Sequence, residues 1–191
     1  MIRRPQNEME MVRFRKAFSL VFKSRNPFEE MFQSRISERL LLYPTCGTYL
    51  DDAQFSALME SAKKVGDMQC YISEVEAEPD SFILPDDSEI YHPAHWEGPL
   101  SSGFYQEYRE LTLVLNNAIY SKKGTWGVLI SHEDHAVLGG SAIFVNEFKR
   151  NYPRWTDELT EFESMLSHNH IKYGTNVDWY EGLKKHLNPK A

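Results

Sequence analysis

Along the chain, apolar positions switch repeatedly between a helical period and short continuous or alternating runs. Phe14, Phe18, Val21 and Phe22 fall at helical spacing and predict an amphipathic first helix. Ser24-Arg25-Asn26-Pro27 interrupts it, and Asn26 as cap with Pro27 at the first helical position and Glu29/Glu30 in the first turn predicts a short second helix burying Phe28, Met31 and Phe32. Leu40-Leu41-Leu42-Tyr43 reads as a buried strand ended by Pro44. From Asp51 to Lys64 the signals agree most closely. Asp51 can cap, Gln54 stands where a capping box needs it, and Phe55, Leu58, Met59 and Ala62 share one face. Lys63 and Lys64 suit the last turn, and Gly66 supplies the stop. Met68 to Val75 alternates as a strand does, which would place Glu74, Glu76 and Glu78 on one face of an extended chain as a ladder of carboxylates.

Residues 79–103 carry four prolines and two glycines and read as a long irregular connection, a length that compact domains tolerate chiefly for function or disorder. Phe104, Tyr108, Leu111, Leu115 and Ala118 then predict a helix, with a strand over Leu111–Leu115 as the alternative. Trp126-Gly127-Val128-Leu129-Ile130 follows a Lys122-Lys123-Gly124 turn and reads as a buried strand. Ala136-Val137-Leu138 is a second strand, ending at Gly139-Gly140, where Ser141 caps a helix bearing Phe144, Val145, Phe148 and Tyr152. Two further helices carry Trp155, Leu159, Phe162 and Leu166, then Trp179, Tyr180, Leu183 and Leu187. The pattern predicts a single α+β domain of 191 residues, a small antiparallel sheet flanked by several helices. Its parts are N-terminal helices over 1–36, a mixed core over 37–152 and a C-terminal helical pair over 153–191.

Charge changes this picture. Between Val65 and Tyr108 there is no lysine or arginine, yet there are ten carboxylates. The remainder, with 21 bases and 18 acids, sums to +3, so the net charge of -7 conceals a polarised chain. Carboxylates lacking counter-ions resist burial, so this block is expected at the surface, where it offers a field to a basic partner or simply maintains solubility. Glu74, Glu76, Glu78, Asp86, Asp87 and Glu89 are the candidate steering charges, and Tyr91 and Trp96 the candidate aromatic anchors. No run approaches the roughly 20 apolar residues that span a bilayer, and the first residues lack the apolar core of a secretory signal, so a cytosolic protein without membrane contact is expected. The net charge and the lack of a basic stripe interleaved with aromatics disfavour nucleic acid as a direct partner. Cys46 and Cys70, far apart and without a CxxC pair, read as two reduced, mostly buried thiols.

Catalytic patterns fare less well. His132-Glu133-Asp134-His135 brings the second histidine one position too early for the zinc-protease helix, and it falls in a predicted turn. His92-Pro93-Ala94-His95 is broken by proline, and His168-Asn169-His170 lies near a helix end. Gly139-Gly140-Ser141 lacks the flanking glycine of a nucleophile elbow, and no P-loop or dinucleotide fingerprint is present. No metal, cofactor or catalytic residue is therefore expected. A metal- or thiol-dependent hydrolase, with Cys46 as the conceivable nucleophile, stands as the alternative.

The order of a capped helix after a Tyr-Pro strand, an acidic middle with Trp96, then Tyr120-Ser121-Lys122-Lys123-Gly124-Thr125-Trp126-Gly127-Val128 and Ala136 to Gly140 running into a Phe144/Phe148 helix resembles immunity proteins of bacterial polymorphic toxin and contact-dependent growth inhibition systems. The likeness covers residues 42–152. It implies a small, cytosolic, non-enzymatic protein that neutralises a toxin domain, and many such toxins are basic nucleases. Such families share no common binding residues. The resemblance therefore supplies a partner for the acidic block, while the contacts rest on charge and aromatic content. An adaptor for some other basic protein is the remaining reading.

Overall fold

The computed structural model describes residues 1–75, 93–101, 103–113 and 116–187. A six-stranded antiparallel sheet forms the middle layer. Its strands are β1 (Glu38–Leu42), β2 (Gln69–Glu74), β3 (His95–Pro99), β4 (Asn117–Ser121), β5 (Gly127–Ile130) and β6 (Ala136–Gly140), in the spatial order β1-β6-β5-β4-β2-β3. Helices cover both faces. The helices are α1 (Glu8–Val21), α2 (Asp52–Lys64), α3 (Phe104–Arg109), α4 (Ala142–Asn151), α5 (Trp155–Tyr173) and α6 (Asp178–Leu187).

Burial on both faces explains why the central strands read as apolar runs rather than half-polar alternations. Leu40, Leu42, Ile72, Ile119, Val128, Ile130 and Leu138 point to a core shared with Phe55 and Leu58 of α2, Phe104 and Tyr108 of α3, and Phe144 and Phe148 of α4. The residues between them, Leu41, Tyr71, Ala118, Tyr120, Leu129 and Val137, point to the opposite core. That second core is filled by Met11, Phe14 and Phe18 of α1, Phe162 and Leu166 of α5, and Leu183 of α6. The sheet's β3 edge is covered by the N-terminus, since Arg3 and Glu97 exchange both backbone hydrogen bonds at 2.9 Å. An edge closed in this way no longer presents those backbone groups to another chain.

The α+β single domain predicted from the pattern is the one observed, and the Asp51 capping box is complete: Gln54 N–H donates to Asp51 at 2.7 Å, and Asp51 N–H donates back to Gln54 Oε1 at 3.1 Å. Two predicted helices differ. Over 26–32 no helix forms. Asn26 Oδ1 accepts from Phe28 N–H at 3.0 Å in a local side-chain turn, while Lys23 and Gln33 pair across the loop with Met31 and Val21. Asn26 does use its capping chemistry, but a single side-chain turn leaves Met31 and Phe32 free to reach the core without further helical bonds. The helix predicted from Phe104 to Ala118 stops at Arg109, and Ala118 lies in β4. Pairing on both sides, with β2 and with β5, supplies β4 with a full set of sheet partners, and that outweighs a helical spacing of apolar residues.

Candidate functional site

The described carboxylates of the base-free block are not bare. Asp67 is buried and accepts from Trp126 Nε1–H at 2.8 Å and Ser121 Oγ–H at 2.7 Å, with the Lys123 ammonium 2.7 Å from its second oxygen. Glu97 lies 3.2 Å from both Arg3 and Lys122. Glu107 accepts from Ile2 N–H at 2.6 Å and faces the terminal ammonium of Met1. Counter-ions missing from the local sequence are thus delivered by the N-terminus and by the β4–β5 turn. The expectation that the whole block lies on the surface is corrected accordingly.

Glu74 and Trp96 are buried as well, at 2% and 6% exposure. Glu74 sits at the end of β2, where its carboxylate accepts from Ala94 N–H at 2.9 Å and its own N–H donates to Ala94 O. Trp96 packs in the core shared with α2 and α3, with the Arg4 guanidinium 5.5 Å from its ring centre. Neither stands on an outward ladder or an open anchor. Glu76, Glu78, Asp86, Asp87, Glu89 and Tyr91 lie outside the described residues.

The register shows where the connection carrying them begins and ends. Glu74 pairs with Asn117, Asn117 with Ile130, Ile130 with Ala136 and Ala136 with Leu42, while His95 pairs with Ser73. These residues mark one end of the sheet. Val75 N–H, clamped to Asn116 O at 2.7 Å, and Ala94 form the two feet of the connection there. The same end holds the β5–β6 turn with Glu133 and Asp134. The opposite end, marked by Gln69, Ser121 and Gly127, holds the β4–β5 turn with Lys122 and Lys123. Residues 76–92 contain six carboxylates and no lysine or arginine. The strand topology therefore roots this connection at the end of the sheet opposite the lysine turn, where Lys122 and Lys123 are already paired with Glu97 and Asp67.

Comparison with protein-family models, curated proteins and solved structures gives no match.

Next to the β5–β6 turn is a recess of about 470 Å³ whose lining includes Phe28, Tyr43, Phe162 and Trp179 together with Glu133, Asp134 and His135. Asp134 adopts a positive φ of 59°, a conformation that aspartate tolerates better than most side chains. The turn is tied to the chain after β1, because Thr45 N–H donates to Asp134 O at 2.9 Å and Gly47 N–H to Asp134 Oδ1 at 3.2 Å. His135 is buried, with its ring nitrogens 3.4 Å from the carbonyls of Glu133 and Pro27. Burial holds its pKa below the ordinary histidine value, so the imidazole is neutral at neutral pH.

His132 instead faces Asn116 Oδ1 at 2.8 Å. The His-Glu-Asp-His run is thus a hairpin turn whose two histidines have different environments. Among the described residues, no group of three or more His, Cys, Asp or Glu side chains is arranged to hold a metal, and no helix is long and apolar enough to cross a membrane. Cys70 is buried as expected, in an apolar core that drives its thiol pKa well above the ordinary range, but Cys46 is exposed beside Arg109 and corrects the expectation of two buried thiols. The recess had no signal in the sequence, since Phe28, Tyr43, Phe162 and Trp179 come from four separate segments and each fits a core position in its own.

Proposed function

We propose that this chain is a non-enzymatic binding protein that neutralises a basic effector in the cytosol, with a bacterial toxin nuclease domain as that effector. The observation that carries the reading is where the acidic connection is rooted. A connection with six carboxylates and no base leaves and rejoins the sheet at the end that also bears Glu133 and Asp134, while the lysine turn lies at the other. A basic surface approaching that end meets an attractive field before contact, and complementarity of this kind acts mainly on encounter rate and on the choice of partner. The resemblance over residues 42–152 names the class of partner. The buried positions of Glu74 and Trp96 move the proposed contacts to Glu76, Glu78, Asp86, Asp87, Glu89 and Tyr91.

The test is binding kinetics against a basic toxin nuclease domain at two salt concentrations. Asp86→Lys with Asp87→Lys should slow association by about tenfold at low salt and flatten its salt dependence. Tyr91→Ala should speed dissociation. Glu60→Lys, on the exposed face of α2 towards the lysine end, should leave both rates within about twofold. Equal rates for all variants would sink the reading.

A further inference from the structure

The aromatic recess opens at the margin of the second core, where Tyr43 and Trp179 pack against it and Glu133 and Asp134 add carboxylates. Phe28 and Trp179 meet edge to face with ring centres 5.0 Å apart, and Tyr43 and Phe162 do so at 5.2 Å. His135 joins the two pairs, 5.1 Å from Phe28 and 5.4 Å from Phe162. Phe162 and His135 are buried, whereas Phe28, Tyr43 and Trp179 are half-buried and the Glu133 side chain is 61% exposed, so a guest entering the recess meets a carboxylate and three of the rings at its mouth. The described lining has two carboxylates and no lysine or arginine. The volume of about 470 Å³ falls within the range of small-ligand sites.

An anion here would face two carboxylates, and a purely apolar guest would strip water from the carboxylates without replacing it. A cation gains from both groups, since ring faces attract positive charge within about 6 Å and the carboxylates add charge-assisted hydrogen bonds. Between the two basic side chains, the planar guanidinium both stacks on rings and bonds a carboxylate through two parallel N–H groups. We propose that this recess is the seat for an arginine side chain presented by a basic protein partner. The source of the arginine rests on the functional reading above, while the preference for a guanidinium rests on the recess alone. His135, neutral through burial, places no competing charge in the box.

The experiment is a ¹H–¹⁵N NMR titration of the full chain with acetyl-Gly-Arg-Gly-amide, and with the same peptide carrying citrulline, which keeps the shape and loses the charge. The arginine peptide should shift the Trp179 indole N–H resonance saturably, and citrulline should bind at least about tenfold more weakly. Glu133→Gln, at an exposed position, and Asp134→Asn, which suits a positive φ, should each weaken the arginine peptide by about three- to tenfold with the spectrum otherwise retained. No saturable shift at Trp179, or equal affinity for the two peptides, would overturn the proposal. If the arginine peptide binds as expected but no basic effector does, the effector reading fails and the guanidinium seat remains. If an effector binds the Glu133→Gln and Asp134→Asn variants as tightly as the parent, the recess is not its docking point and this inference fails alone.

Discussion

At the scale of single residues, Asp67 concentrates the most structure in one side chain. Its carboxylate closes the β4–β5 turn by accepting from Ser121 and from the buried Trp126 indole, and Lys123 neutralises it from outside. Asp67→Ala would leave an indole N–H and a hydroxyl buried without their acceptor, and should cost about 2 to 4 kcal/mol in urea unfolding. Asp67→Asn, which keeps one acceptor oxygen, should cost less. Gly139 tests packing in the opposite sense. A Cβ there would lie 2.7 Å from Ile36 Cγ2 and 2.8 Å from Phe32 Cζ, so Gly139→Ala should destabilise by about 1 to 3 kcal/mol through overpacking. A thermal scan showing an unchanged or higher midpoint would contradict that account.

Among the elements, α2 is fully accounted for by its own residues, because its cap, apolar stripe and last-turn lysines are all local features. Asp51→Ala should cost about 1 kcal/mol, measured by denaturant unfolding, since it removes the acceptor for Gln54 N–H and half of the reciprocal box. The segment from Phe104 to Ser121 shows the opposite case. Phe104 and Tyr108 were legible as a buried helical pair, but Asn117–Ser121 became a strand because β2 and β5 lie on either side of it. Pairing between residues distant in the chain carries no local signature. Asp67 and Glu97 of the acidic block depend on remote residues in the same way: Arg3 and Lys122 face Glu97, and Lys123 faces Asp67, from elsewhere in the chain.

On the scale of the whole molecule, titratable groups buried between elements set the acid response. His186 at the end of α6 accepts from Phe32 N–H at 3.2 Å, and burial, reinforced by Arg39, lowers its pKa from 6.5 to about 4. His135 is shifted in the same direction. The unfolded chain binds these protons near pH 6.5 and the folded chain does not. Their contribution is therefore present above that pH and is lost as the pH falls towards about 4. Glu158, buried beneath Tyr43, Gln54 and Tyr152, opposes this. Burial raises its carboxyl pKa, so its contribution is present in acid and is lost as the pH rises through the folded value. The urea midpoint should fall between about pH 7 and about pH 5, and His186→Gln should flatten that fall, as measured by fluorescence. An acid response identical to the parent's would remove His186 as its source.

The sequence alone determined the class of the fold, the extent of α2 and α4, the existence of α1, α5 and α6, the buried runs of the central strands, and the concentration of carboxylates between residues 65 and 108. Each of these depends on periodicity, capping or composition, which act over a few residues. Only the tertiary structure decided that residues 26–32 turn without a helix, that Ala118 belongs to a strand, and that Glu74 and Trp96 are inside. It also decided that the feet of the acidic connection share an end of the sheet with Glu133 and Asp134, and that four distant aromatic rings enclose one recess. Strand order and helix docking determine which remote residues meet, and the free energy of those meetings comes from burial and pairing across the chain rather than from any stretch of it.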